Sequence, residues 1–326
     1  LRRILLLLAM LVGLASVAAL LVLVGAHRGI RAVHPALPDP EALLAVDASE
    51  DLPTGLFMIE TARQPMPRSA VLDPHRDPAP DAAYVMTHPA FVLAWPDGRL
   101  FLLDAGMDRE SALAFGAPLE LVMGADPIEP LGSVAERMGP ALERVRGAAF
   151  SHLHTDHTAG IGAVCAARGE TLRVFQLPEQ HDLVNYTTRA GRAQLDGAGC
   201  VERVPLAPAA LAPVPGFPGL WLAPAAGHTP GSQLLVAHLR TPAGVVVWVF
   251  TGDAVNHRDA VAGNVPKPWL YSLLVVPEDT RRLDAVRRLL ADLASHPQVR
   301  LAVSHDASGL GARGVPPWPP FLREAG

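Results

Sequence analysis

The chain has 326 residues, half of them hydrophobic, enough for one large domain or two modest ones with a real core. Disorder is therefore not expected. The formal net charge is −5 and no lysine or arginine block occurs, which leaves no electrostatic footprint for nucleic acid.

In chain order, Leu1-Arg2-Arg3 leads into an apolar run from Ile4 to Ala26, followed by His27, Arg28 and Arg31. A run of this length can cross a bilayer as a helix, which takes about 20 apolar residues. A cleaved signal peptide is the rival, with Val24-Gly25-Ala26 as its cleavage site. Length favours an uncleaved anchor that delivers the rest of the chain outside the cytoplasm. Composition then divides the chain into an anchor or signal peptide at residues 1–27, a proline-rich linker at 28–53 and a domain at 54–326. A second proline-rich stretch runs from Pro65 to Pro80.

Regular structure is predicted from Ala90 to Trp95 and from Leu100 to Leu103, two apolar runs around Asp97-Gly98 that read as a β-hairpin. Between Arg109 and Val145 the spacing of Val134, Met138, Leu142 and Val145 is helical despite Pro140. Strand, helix and strand follow at Gly147–Phe150, Gly160–Arg168 and Leu172–Leu177, and Pro178 to Leu195 reads as a helix or a lid. Two further strands are expected at Leu220–Ala223 and Gln233–Leu239. The nearly uniform apolar run Val245–Phe250 has the character of a strand buried on both faces. Asp279 or Thr280 can cap a helix with Leu283, Val286, Leu289, Leu290 and Leu293 on one face, and Val299–Val303 is the last strand. The tail Pro316-Pro317-Trp318-Pro319-Pro320 reads as an extended strap.

The two cysteines, Cys165 and Cys200, lack the spacing of a metal or nucleophile site. They read as buried thiols or, outside the cytoplasm, as a disulfide typically worth roughly 2 to 4 kcal/mol.

Chemistry concentrates in Ser151-His152-Leu153-His154-Thr155-Asp156-His157, three imidazoles and a carboxylate in six positions directly after an apolar run. Neutral imidazole and carboxylate are donors for a borderline cation such as Zn²⁺, and no neighbouring cysteine suggests a closed structural site. In an extended strand His152 and His154 would share a side, whereas Asp156 and His157 need a loop to converge. An aspartate at the end of a buried strand, as Asp253 is, must be paired, capped or metal-bound. His181 reads as a surface histidine.

His152-x-His154-x-Asp156-His157 resembles the first metal motif of the metallo-β-lactamase superfamily. Gly227-His228-Thr229-Pro230-Gly231-Ser232 resembles the second, and Leu103-Asp104-Ala105-Gly106 the early strand ending in Asp-x-Gly. Asp253 and His305 stand where the bridging carboxylate and last histidine fall, with His296 a poorer rival for the latter. The resemblance spans roughly Ala90 to Asp306 and implies an α/β fold, an αββα sandwich of two mixed sheets flanked by helices. It implies two zinc ions, one held by His152, His154 and His228, the other by Asp156, His157 and His305, with Asp253 touching both. Asp104 would support the metal loop. A hydroxide shared by the metals would attack a small ester-like substrate, such as a lactone or thioester, and Asp156 would carry a proton to the leaving group.

Acyl-homoserine lactonases are the nearest branch by motif. They carry a tyrosine three residues after the bridging aspartate, where this chain has Asn256. A relative with one iron that oxidises persulfides is the alternative on the same fold. The alternative of another class is a membrane-tethered binding module without turnover, against which the complete ligand set argues.

Overall fold

The computed structural model describes residues 2–45 and 49–319. Seven strands form the first sheet: β1 (Gly55–Met66), β2 (Tyr84–Ala94), β3 (Leu100–Leu103), β4 (Glu129–Pro130), β5 (Val145–Ala149), β6 (Leu172–Gln176) and β7 (Val201–Pro205). Their order is β4-β1-β2-β3-β5-β6-β7. The second sheet holds β8 (Ala212–Pro213), β9 (Leu220–Pro224), β10 (Gln233–Thr241), β11 (Gly244–Phe250) and β12 (Val299–Ala302), in the order β12-β11-β10-β9-β8. Both sheets are mixed: β3, β5, β6 and β7 pair in parallel while β1, β2 and β3 alternate, and β12 is parallel to β11 beside antiparallel β9 and β10.

Side-chain alternation explains the layering. Phe91, Leu93, Phe101 and Leu103 point between the sheets and meet Leu222, Leu235, Trp248 and Phe250. Ala90, Val92, Leu100 and Leu102 point outward, where Val134, Met138, Ile161, Val164 and Leu195 cover them. On the far side, helix Thr280–Ala294 lays Leu283, Val286, Leu290 and Leu293 on the second sheet. The Asp279 carboxylate caps it, accepting from the amides of Arg281 and Arg282. This is the expected αββα sandwich.

Local expectations met several corrections. β1 was not foreseen: Glu60, Thr61, Arg63 and Gln64 break its apolar alternation, and its pairing with β2 shifts register between Glu60 and Ala62. The hairpin turn is as predicted, with Gly98 at φ +89°, but β2 already begins at Tyr84. The helical spacing of Val134 to Val145 holds only over Val134–Met138. Gly139 adopts φ +52°, Pro140 follows, Leu142 lies in a 3-10 turn and Val145 opens β5. β11 is buried only in its second half, Val247 to Phe250. The segment from Pro178 to Leu195 holds two helices, Pro178–Asp182 and Arg189–Gly197. Cys165 and Cys200 form a disulfide that ties helix Ile161–Ala166 to the start of β7.

The apolar N-terminal segment is one helix, Arg2–Arg31, long and apolar enough to cross a membrane and exposed along most of its length. Near its C-terminal end Ala26 and Ile30 are buried, and His27 Nε2 lies 3.0 Å from the Leu273 carbonyl. In the proline-rich stretch that follows, helix Pro40–Leu44 buries Leu43 in the second sheet's outer core, and the Arg282 guanidinium donates to the Pro35 carbonyl. Near the C-terminus Pro317 bridges to Met58 and Trp318 packs edge-on against Phe57, so the described part of the strap lies along β1; Pro320 is outside the described residues.

Strand direction positions the site. β9, β11 and β12 all run opposite to β10, so the loops bearing His228, Asp253 and His305 emerge at one edge. β3 and β5 are parallel, which brings Asp104 beside the histidine-rich loop. Gly252 lets the two sheets meet there. Its φ is +49°, and a Cβ would sit 2.7 Å from that of Ser151.

Candidate metal centre

All seven residues singled out in the sequence converge. The loop after β5 carries His152 and His154, and the single helical turn Thr155–Thr158 presents Asp156 and His157. The His152 and His154 rings are 4.5 Å apart, as same-side residues should be. The donor atoms of His152, His154, His228 and Asp253 all lie within 4.8 Å of one another, as do those of His157, Asp253 and His305.

Asp253 stands between the two groups. Its Oδ2 is 3.6 Å from His228 Nε2 and 3.9 Å from His152 Nε2, while its Oδ1 is 2.9 Å from His305 Nε2 and 3.2 Å from His157 Nε2. Asp156 Oδ2 completes the second group, 3.5 Å from His305 Nε2 and 3.6 Å from His157 Nε2. His296 precedes β12 and His305 follows it, so His296 lies at the opposite end of that strand from the cluster. His181 pairs with Asp182 at the surface.

The outward-facing nitrogens are held by partners. Asp104 Oδ2 lies 2.9 Å from His157 Nδ1, and the same carboxylate accepts from the amide and hydroxyl of Ser151 at 2.7 and 2.9 Å. Asp104 itself adopts φ +57°, an uncommon conformation for a residue with a side chain. His305 Nδ1 is 2.7 Å from the Thr87 carbonyl, and His154 Nε2 is 3.0 Å from Thr187 Oγ1, which leaves His154 Nδ1 facing His228.

Three partners went unread in the sequence. Glu278 Oε1 lies 2.6 Å from His228 Nδ1, and Lys267 donates to Glu278 and to the Asp253 carbonyl at 2.9 and 2.8 Å. His88 Nδ1 lies 3.2 Å from Asp156 Oδ2. Each is an isolated residue without a local motif. The one usable signal was that a lone lysine and a glutamate sit in an otherwise apolar stretch, Lys267 to Glu278.

The electrostatics divide the cluster. Burial drives His152 well below the usual imidazole range, with His157 adding to it. Burial and the neighbouring His228 bring His154 to about 3, and burial followed by the Lys267 ammonium lowers His228. On the other side burial opposes charge but loses. Asp156, Asp104 and Asp253 raise His157 well above the usual range, and Asp253 and Asp156 raise His305. Asp253 is likewise held well below the usual carboxylate range, against its burial, by His305, His152 and His157.

These residues fit metal ions. The donors are nitrogen and oxygen only, as Zn²⁺ or iron accepts, and the second nitrogens of His157, His228 and His305 are fixed by carboxylates or a carbonyl and that of His154 by a hydroxyl. Nε2 of His152 and of His157 and Oδ1 of Asp253 are buried without a hydrogen-bond partner among the described residues. Such atoms are costly unless something binds them.

Beside the cluster lies a cavity of about 220 Å³. His154, Asp156, Asp253 and His305 line its polar end, and Met66, Met86, Phe115, Leu119 and Val276 are among its apolar walls. Asn256 and Tyr271 also line it. Met66 and Val71 come from the first half of the second proline-rich stretch.

A two-sheet sandwich whose strand ends gather imidazoles and carboxylates beside an apolar cavity defines a metallo-hydrolase. The chain belongs to the metallo-beta-lactamase superfamily, whose sequence profile matches residues 84–295. Among curated proteins nothing matches. Solved structures of similar fold include an N-acyl homoserine lactone hydrolase with the product N-hexanoyl-L-homoserine at its catalytic metal centre. It is 17% identical with a TM-score of 0.56, over 80% of this chain and 96% of that one. AidC, a dizinc quorum-quenching lactonase, is 13% identical with a TM-score of 0.51 over 78% and 90%. A probable metal-dependent hydrolase from Staphylococcus aureus is 12% identical with a TM-score of 0.56 over 79% and 91%. At these identities the likeness is one of fold.

Proposed function

We propose that the protein is a dizinc hydrolase of small ester-like substrates, lactones or thioesters, held to a membrane by its N-terminal helix with the domain outside the cytoplasm. His152, His154 and His228 would hold one zinc ion, Asp156, His157 and His305 the other, and Asp253 both. The observation that carries this is the division of Asp253, one oxygen facing each imidazole group. When bound, the two ions would supply Lewis acidity and lower the pKa of water towards neutrality.

The chain's own residues do the rest. Glu278 and Asp104 orient His228 and His157, and the apolar walls exclude bulk water from the reacting end of the cavity. Asp156 lines the cavity and is ionised, its burial outweighed by His157, His88 and His305, so it can accept a proton released by the attacking water and pass it to the leaving atom. Tyr271 supplies a phenol to the same cavity. Burial, then Glu278 and Asp253, raise it well above its usual range, so it stays protonated and can donate to a developing oxyanion. It thus offers the hydroxyl that Asn256 lacks. The disulfide supports an oxidising compartment.

Elemental analysis of the purified full chain and of Asp253→Ala tests this reading, alongside a screen of lactones and thioesters. Two zinc per chain, lost in the variant together with turnover, is the expected result. One tightly held iron would sink the dinuclear reading and turn the search to persulfide oxidation.

A further inference from the structure

Three exposed apolar segments border the cavity. Leu121 and Val122 are 88% and 72% exposed on the last turn of helix Arg109–Met123, while Leu119 and Met123 of that turn line the cavity. Trp269, Leu270, Leu273 and Leu274 are exposed around Tyr271, and Val275, itself exposed, forms part of the wall. Leu183, Val184 and Tyr186 are exposed just before Thr187, another wall residue. No charge falls between Lys267 and Glu278, and Glu120 is the one charge between Ala112 and Met123. A water-soluble surface rarely gathers so many large apolar side chains around one opening.

The N-terminal helix fixes what covers them. Within its apolar run from Ile4 to Ala26, the stretch up to Val24, the last large apolar side chain, spans about 30 Å at 1.5 Å per residue, the thickness of a bilayer's hydrocarbon core. His27, three residues beyond, lies against the Leu273 carbonyl, and Val22, Gly25 and Ala26 share one cavity wall with Leu183, Val184 and Tyr186. Two of the three segments therefore sit at the depth where the helix leaves the hydrocarbon. Arg28 and Arg31 follow at the level of the headgroups, and Trp269 is the residue type favoured at such an interface.

We propose that the mouth of the cavity opens onto the bilayer itself, and that the substrate is a long-chain acyl ester drawn laterally from the lipid. The substrate class rests on the hydrolase reading above, and the orientation on its membrane anchor alone. Membrane insertion of the rim lets an acyl chain pass from lipid to the Met66, Met86, Phe115 and Leu119 walls without crossing water, while the ester reaches the polar end.

The full chain, reconstituted into phosphatidylcholine vesicles, tests both parts. Tail-brominated lipid should quench the Trp269 emission, taken as the difference between wild type and Trp269→Phe, at least twofold, and aqueous iodide should not. Emission quenched by iodide and indifferent to bromine would overturn the orientation. Leu270→Asp with Leu274→Asp should lower turnover of a vesicle-borne long-chain ester at least tenfold and leave a short, water-soluble ester within twofold. Equal loss on both esters would overturn entry from the bilayer. If wild type hydrolyses neither ester, the hydrolase reading fails, and bromine quenching still decides the orientation.

Discussion

Glu278 Oε1 lies 2.6 Å from Nδ1 of His228, and both side chains are fully buried. The carboxylate orients the ring so that Nε2 faces Asp253, and burial of the glutamate is outweighed by Lys267 and His228, which hold it at about 2. Glu278→Gln keeps the shape and removes the charge. Metal affinity should fall about 10- to 100-fold, measured by competition with a chromophoric chelator. Unchanged affinity would mean that Glu278 serves Lys267 alone.

The metal-free chain should release protons as it takes up metal. His157 is raised well above the usual imidazole range, so near neutrality it carries a proton that metal must displace, and His305 is raised in the same direction, whereas burial lowers His152, His154 and His228 and favours their neutral forms. Affinity should therefore rise with pH, and the His157 and His305 half should empty first as pH falls. Titration calorimetry in two buffers of different ionisation enthalpy measures the release; equal heats would contradict it.

Gly191, on helix Arg189–Gly197, touches the backbone between two proposed ligands. A Cβ there would lie 2.2 Å from the Leu153 carbonyl oxygen and 2.8 Å from Thr158 Oγ1. Gly191→Ala should cost about 1–3 kcal/mol and lower metal content, because the strain falls on the His152 to His154 loop. Denaturant titration and elemental analysis together check this.

Tyr271→Phe removes a hydroxyl from the cavity and no proposed metal donor. The expected loss is about 10²-fold in kcat, with metal content and fold unchanged. A change confined to KM would assign the phenol to binding.

The Cys165–Cys200 bridge closes a separation of 35 residues. Replacing both cysteines by serine should cost about 2–4 kcal/mol while metal content is retained, since the bridge joins a helix end to β7 rather than the site. Thermal unfolding of the two forms compares them directly.

Much of the candidate site is legible in the chain. His152, His154, Asp156 and His157 are dense enough to stand out, and His228, Asp253 and His305 each follow a readable apolar strand, because strand termini and loop residues leave local patterns. The sandwich is implied by the resemblance those motifs carry, not by the alternation of the strands. Other features belong to packing alone. β1 exists because β2 offers its edge, despite a sequence that alternates poorly. Val145 leaves its helical pattern for a strand because Gly139 and Pro140 end the helix. Glu278, His88, Tyr271 and Gly191 meet the site across 50, 68, 18 and 38 residues from His228, Asp156, Asp253 and Leu153. Those separations are closed only by tertiary structure, because a single residue carries no period or spacing to announce its partner.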